Sequence, residues 1–541
     1  MDSDLRRADW RFLLPRPVRP AFQHLVLLGG SPSLSVRMAR LGIADRVSSD
    51  PAETGSADVV GLLGGAPVEL TEALRCLAPG GTLYWEVARR WTSLFRTMPG
   101  AIRRRLAAAG LETASIHYAR PNFHQAAIYM PVGARGVLSW YIATHFLSRG
   151  LASRTARTVL RLLAWTGDWW LHLAPRYVVT ATAGQRHRSA SGLATSVPLG
   201  GIGTEPALAV LMLGGADPSR RVIVFAFSPG ARQPSTVVKT WRLPDRNAKA
   251  EAEQATLIKI RSLLDPDLAR TLPQPLGTAR GGDLVAGVES YAPGRPLSFL
   301  TEDRGWPQRR RVQAIRLVLN WLGRFHQQAQ VGRQPWDPSA LERLVEQPWS
   351  NFRAAFGRHP DERRLFDSIL QRAKTLIGLP LPIVWAHPDL TGANVLVQGR
   401  RITVIDWSGA IPRLPLYDLL YFVVLVASGP GSKRCLEARF RCFREVFVLS
   451  GRPDAMTRDI RAAVRQYMKR LEIDPRFFPV LLTMAWVSRC LESSERERAA
   501  ERGESGANPH PGESYVDYVR ILAESREGLF ALSPAPWWSE E

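Results

Sequence analysis

Between residues 383 and 410, a mainly helical and apolar stretch is interrupted by IVWAHPDLTGANVLVQGRRITVIDWSGA, which constrains this chain more than any other feature. Two short apolar runs, NVLV and ITVID, flank the turn QGRR, the pattern of a tight hairpin laid over helices. The polar residues collect at its ends, so Asp389, Asn394 and Asp406 are expected to approach one another. A carboxylate able to take a hydroxyl proton, beside the hard oxygen donors that magnesium prefers, suits phosphoryl transfer.

Upstream, ALAVLML, RVIVFAF and STVVKTW are closely spaced strand candidates separated by turn-rich pieces, which predicts an antiparallel lobe. A helical stretch, AKAEAEQATLIKIRSLL, then a strand, DLVAGVES, and the turn APGRP lead into a helical remainder. Nearer the N-terminus the order is different. A strand running into a Gly/Ser/Pro turn over residues 21–35, then strands at 57–63 and TLYWEV, alternate with helices at VRMARLG, VELTEALRCL and AIRRRLAAAG, which predicts a parallel sheet covered on both faces. Residues 137–180 are rich in aromatics and arginine, with Trp140, Trp165, Trp169 and Trp170, and end on the strand-like RYVVTAT. Packing on the neighbouring domain is favoured for this stripe over contact with a membrane surface. The small, polar, basic segment 184–196 reads as a linker.

With HPDLTGAN and IDWSGA at this spacing, residues 205–500 closely resemble the aminoglycoside phosphotransferase and choline kinase-like family, relatives of the protein kinases. The resemblance implies a bilobal α+β fold, ATP and Mg2+ as cofactors, and a small-molecule hydroxyl as acceptor. It makes Asp389 the catalytic base or hydroxyl-orienting carboxylate, and Asn394 and Asp406 the metal ligands. Lys239 matches the strand lysine that holds nucleotide phosphates. Glu253 matches the helix glutamate that positions this lysine, with Glu251 as the alternative. Val288 to Ser290 match the hinge that meets adenine through backbone groups. His387 is expected to brace the catalytic loop, Asp418 to anchor a helix start or that loop, and Pro388 stands where the family usually has glycine. The phosphate loop is not fixed by pattern: GGIG at 200–203 and the pair Gly214 and Gly215 are both candidates.

Residues 20–135 resemble the class I S-adenosylmethionine-dependent methyltransferase fold, through LAPGGTLYWEV and AAAGLETASIHYARPNFHQAAIYMP. LLGGSPS keeps Gly29 and Gly30 but has Leu28 where that family carries an acid, so a degenerate Rossmann-like domain is expected. Its two glycines then serve a tight turn rather than an S-adenosylmethionine site.

A chain of 541 residues exceeds one core, and four stretches are expected. They are a Rossmann-like α/β domain at 1–135, a helical bridge and linker at 136–204, a kinase-like N-lobe at 205–300 and a helical C-lobe at 301–541. The net charge of +22 is carried by arginines scattered on helices, such as Arg103, Arg104 and Arg105, without a recognition motif, so no nucleic-acid partner is expected. Four widely spaced cysteines form no CxxC pair, which excludes a zinc or disulfide framework and fits a reducing cytoplasm. No signal peptide, transmembrane segment or peripheral membrane contact is expected. The expected activity is transfer of a phosphoryl group from ATP to a small-molecule hydroxyl. The alternatives are a silent nucleotide-binding scaffold and a bifunctional protein with added methyltransferase activity.

Overall fold

The computed structural model describes residues 7–14, 22–50, 54–64, 69–89, 96–134, 136–146, 168–183, 208–214, 220–281, 283–301, 308–357, 359–429, 436–448, 453–501 and 515–525. The linker at 184–196, GGIG at 200–203, Gly215, Trp165 and Cys435 lie outside them, as does the side chain of Trp169. The chain divides into two compact units: Met1–Gln254 with Gln274–Tyr291, and Ala255–Pro273 with Ala292–Glu541.

The first unit is built on one sheet of twelve strands: β1 (Phe22–Leu28), β2 (Ala44–Ser48), β3 (Ala57–Leu62), β4 (Leu77–Ala88), β5 (Leu111–Arg120), β6 (Ile128–Pro131), β7 (Arg176–Ala183), β8 (Leu208–Leu213), β9 (Arg221–Phe227), β10 (Thr236–Trp241), β11 (Pro275–Gly281) and β12 (Leu284–Ser290). Their order across the sheet is β11-β12-β10-β9-β8-β6-β5-β7-β4-β3-β1-β2. β2, β1, β3 and β4 pair in parallel, and every other neighbouring pair is antiparallel.

Alternation of side chains along each strand sends successive residues to opposite faces, and each face has its own core. Leu25, Leu27, Val59, Tyr84, Leu211, Val224, Val238 and Val288 share one core, together with Leu34 and Met38 of the helix Pro32–Arg40. Val26, Leu28, Val60, Leu83, Val179 and Val210 share the other, with Ala73 of the helix Leu70–Cys76 and Leu106 of the helix Pro99–Ala108. The parallel half is thus covered on both faces.

The sheet does not break at 136–204, where the sequence suggests a bridge. β7, from that stretch, inserts between β4 and β5, while β6 pairs with β8 through Ile128↔Met212 and Tyr129↔Leu211. Nothing in local composition signals such a join, because two partner strands separated by some eighty residues leave no shared local pattern. Trp140, in the short helix Val137–Tyr141, packs on Phe225 and Phe227 with ring centroids 4.9 and 5.4 Å away. Its indole N–H donates to the Tyr291 hydroxyl at 2.9 Å.

β8 to β12 form the expected antiparallel lobe, with β11 as a strand that the sequence reading does not include. The helix Asn247–Ser262 follows β10 and approaches β12 at Gly287, where a Cβ would lie 2.9 Å from the Gln254 amide nitrogen.

The second unit is mainly helical around a single large core. Asp265, Asp337 and Asp454 cap helix N-termini with their carboxylates. Two small sheets interrupt the helices: β13 (Arg295–Pro296) with β16 (Val395–Gln398) and β17 (Arg401–Val404), and β14 (Gln330–Pro335) with β15 (Pro380–Ala386) and β18 (Ile411–Arg413). β16 and β17 are the expected hairpin, Gln398 facing Arg401 across its turn. Cys76, Cys442 and Cys490 are buried and take part in no disulfide among the described residues. No helix among the described residues is long and apolar enough to cross a membrane.

Candidate active site

In the first unit, Lys239 lies on β10 with its side chain nearly enclosed, 7% exposed, so its ammonium must be paired. Nζ donates to Glu253 Oε1 at 3.2 Å and to Glu289 Oε1 at 2.6 Å. Arg221 of β9 braces the helix carboxylate from the other side, Nη1 to Glu253 Oε2 at 2.9 Å. Two cations and two carboxylates thus balance.

Glu253 is thus brought to Lys239, whereas Glu251 pairs on the surface with Arg280 at 2.9 Å. Glu289 and Arg221 are partners that sequence reasoning missed. Glu289 is the lone acid in an apolar strand, on the parity opposite to Val288, and that parity was the available signal. Burial pushes its carboxyl above the ordinary range, against the pull of Lys239. Of the expected hinge, Val288 is fully buried in the sheet core. The Ser290 N–H is committed to the Gln274 carbonyl at 2.9 Å, and the Tyr291 N–H to Ser235 at 3.0 Å.

In the second unit, β15 delivers HPDLTGAN. His387 is buried, its Nε2 2.9 Å from the Ile405 carbonyl, while its backbone N–H donates to Asp418 Oδ2 at 2.7 Å. Asp418, near the start of the helix Tyr417–Ala427, is itself fully enclosed and lies 3.4 Å from His326 Nε2. His326 Nδ1 in turn meets the Tyr467 hydroxyl at 2.7 Å. His326 and Tyr467 have no signature near the motif, since they come from helices far away in sequence. Both His387 and Asp418 brace the loop.

Asn394 donates its amide NH2 to the Asp389 carbonyl at 2.9 Å and to Asp389 Oδ2 at 3.0 Å. The Asn394 carbonyl accepts from Ile405 N at 2.9 Å, which ties this loop to the residue preceding Asp406. Asp406 has a positive φ of 68°, an uncommon conformation for a residue other than glycine and one that collects at functional sites. Its Oδ1 accepts from the Ser408 hydroxyl at 2.8 Å. Asp389 opens to solvent on one side. Protein packed against its inner side pushes the carboxyl above its ordinary range, and the Asp406 carboxylate adds to that push. Arg489, from the helix Phe478–Glu501, donates to the carbonyl of Pro388 at 3.3 Å, and its guanidinium lies over the rings of Tyr417 and Tyr421.

The donor chemistry fits a hard cation. With its NH2 directed to Asp389, Asn394 keeps an amide oxygen for a metal, and Asp406 offers a carboxylate.

Residues 223–446 match the phosphotransferase enzyme family, APH. The APH match contains Lys239, Glu253, Glu289, Asp389, Asn394 and Asp406 and does not extend to residues 1–222. Among solved structures, the amicoumacin kinase hAmiN in complex with AMP-PNP, Ca2+ and Ami is 14% identical, with 61% of this chain and 90% of that chain covered and a TM-score of 0.33. A thermostable mutant of aminoglycoside phosphotransferase APH(4)-Ia, in a ternary complex with AMP-PNP and hygromycin B, is 13% identical, with coverage of 59% and 94% and a TM-score of 0.35. Macrolide 2'-phosphotransferase MphH from Brachybacterium faecium is 19% identical, with coverage of 58% and 93% and a TM-score of 0.31. No curated protein sequence matches the chain.

The glycine turn after β1 packs on apolar side chains. Gly29 has a φ of 80°, as a tight turn requires, and Leu28 is buried. A Cβ on Gly30 would meet Leu63 Cδ1 at 3.0 Å, Leu34 at 3.6 Å and Leu27 at 3.7 Å, so apolar side chains already fill the space beside it.

Proposed function

We propose that the chain from about residue 205 onward is an ATP- and magnesium-dependent phosphotransferase acting on a hydroxyl of a small molecule. The observation that carries this reading is the double hydrogen bond from the Asn394 amide to the carbonyl and the carboxylate of Asp389. It holds the Asp389 carboxylate in one orientation and joins two residues that the chemistry requires side by side. The family match supports the reaction class.

In this reading Asp389 receives the acceptor hydroxyl, orients its oxygen for in-line attack on the terminal phosphorus of ATP and takes its proton as the new O–P bond forms, while the bond from that phosphorus to the β–γ bridging oxygen breaks and ADP leaves. Lys239 sets a positive charge against the nucleotide phosphates, and Glu253, steadied by Arg221, fixes where that charge stands. Asn394 and Asp406 would hold magnesium, which when bound neutralises charge on the transferring group. His387 and Asp418 keep the loop backbone in place while these groups act. Residues 1–135 serve, in the same reading, as a Rossmann-type scaffold without a methyl-transfer site, because Leu28 and the filled space at Gly30 do not suit the cofactor.

The test is a thermal-shift titration with ATP and magnesium beside Asp406→Ala. Metal-dependent stabilisation of the wild type that disappears in the variant is expected. Absence of any shift in the wild type at millimolar ATP would refute the nucleotide site. With an acceptor in hand, Asp389→Asn should lower kcat on the order of 10²-fold or more.

A further inference from the structure

Residues 7–14 are all buried, although three of them are charged. Enclosing charge is costly unless each group is paired, and here each one is. Arg7 binds Glu86 of β4, with Nη2 2.6 Å from Oε2, and donates to the Phe123 carbonyl at 2.9 Å. Asp9 receives Arg242 Nε at 2.9 Å on each oxygen and Nη2 at 2.6 Å on Oδ2, with both side chains fully enclosed. Arg11 Nη2 donates to the backbone carbonyl of Arg242 at 2.7 Å. Between these residues Trp10 stacks on Tyr84 with ring centroids 4.0 Å apart.

The segment thus converges twice on Arg242, once on its side chain and once on its main chain. Arg242 directly follows β10, and its Nη1 also reaches the carbonyl of Arg220 beside β9, at 3.2 Å. Lys239 lies just upstream on the same strand, and Glu253 lies on the helix that the chain enters just downstream. Arg242 therefore marks the turn whose position sets the distance between the two members of the Lys239–Glu253 pair.

We propose that Asp9 and Arg242 form a clamp that positions Lys239 and Glu253 for nucleotide binding, so that a segment outside the phosphotransferase match is part of its nucleotide-binding machinery. The inference rests on the nucleotide role proposed above. Asp9 and Arg242 are positioning residues: they act through Lys239. Misplacement of a binding group by an ångström is enough to weaken its action strongly, which is why a fixed turn matters.

The experiment measures the affinity for ATP with magnesium by calorimetry on the full chain, and needs no acceptor. The double variant Asp9→Leu/Arg242→Met replaces the buried pair by apolar groups, a change that is often neutral for stability. Arg242→Lys retains the charge but loses the two-pronged contact, and serves if the double variant is insoluble. Leu106→Ala truncates the core on the other face of the sheet and controls for general destabilisation. The clamp predicts affinity weakened about tenfold in the double variant, a smaller loss in Arg242→Lys, and a change within about twofold in Leu106→Ala. Wild-type affinity in both clamp variants would overturn the clamp alone, as would an equal loss in Leu106→Ala. A wild type that fails to bind ATP with magnesium overturns the phosphotransferase reading itself.

Discussion

Lys239 stands between two carboxylates, and only one of them has a counterpart in the motif pattern. Glu253 could be matched because it lies on the helix that follows the lysine strand. Glu289 could not, since its contact depends on the register that sets Lys239 opposite Gly287 and Val237 opposite Glu289, and register is invisible before strands are paired. Asp389 and Asn394 were legible for the opposite reason: they meet within one short loop, where spacing alone decides contact. A different buried group gives a test in solution. His117 on β5 is fully enclosed, neither ring nitrogen finds a hydrogen-bond partner, and burial lowers its pKa from 6.5 to about 3. Below pH 6.5 the unfolded chain gains a proton that the folded chain refuses, so stability falls by roughly 1.4 kcal/mol per pH unit until about pH 3. Thermal unfolding at pH 7 and pH 5 should therefore show the wild type losing more than His117→Leu, by roughly 2 kcal/mol. Parallel losses in the two proteins would contradict this account.

At the scale of elements, β12 makes room at Gly287 for a side chain of the helix Asn247–Ser262. Gly287 has no side chain, and the Gln254 amide occupies the space a Cβ would need. Gly287→Val should lift this helix, draw Glu253 away from Lys239 and destabilise the protein by about 1–3 kcal/mol. Urea unfolding would give the stability change and nucleotide titration the loss of affinity, and a variant unchanged in both would show that the contact is dispensable. The existence of this helix and of its strands was legible from periodicity. Their spacing was not, because a glycine in a strand pattern signals a close approach without naming what approaches. The same limit hid the clamp: Asp9 and Arg242 are 233 residues apart, and nothing local links them.

At the scale of the molecule, the parallel half of the sheet reads in sequence as a cofactor fold, yet Leu28 stands where an acid is expected and Gly30 abuts Leu27, Leu34 and Leu63. S-adenosylmethionine at millimolar concentration should leave the thermal midpoint unchanged under conditions where ATP with magnesium raises it. A shift with S-adenosylmethionine would return the methyltransferase reading to the first unit. The strands of both halves were legible one by one, while their union into a single sheet was not. That union changes what the sheet offers to other molecules. β6 and β8 are apolar strands that would each end a sheet of their own, with open rows of N–H and C=O groups ready to pair with another copy. Joined to each other, they leave β2 and β11 as the edge strands of this sheet among the described residues. β2 carries Asp45 and Arg46, both exposed, and β11 carries Pro275, Arg280 and a register irregularity between Pro275 and Gly277, features that discourage further pairing. A chain cut between β6 and β8 would therefore bare two apolar edges that pair with each other in the intact sheet.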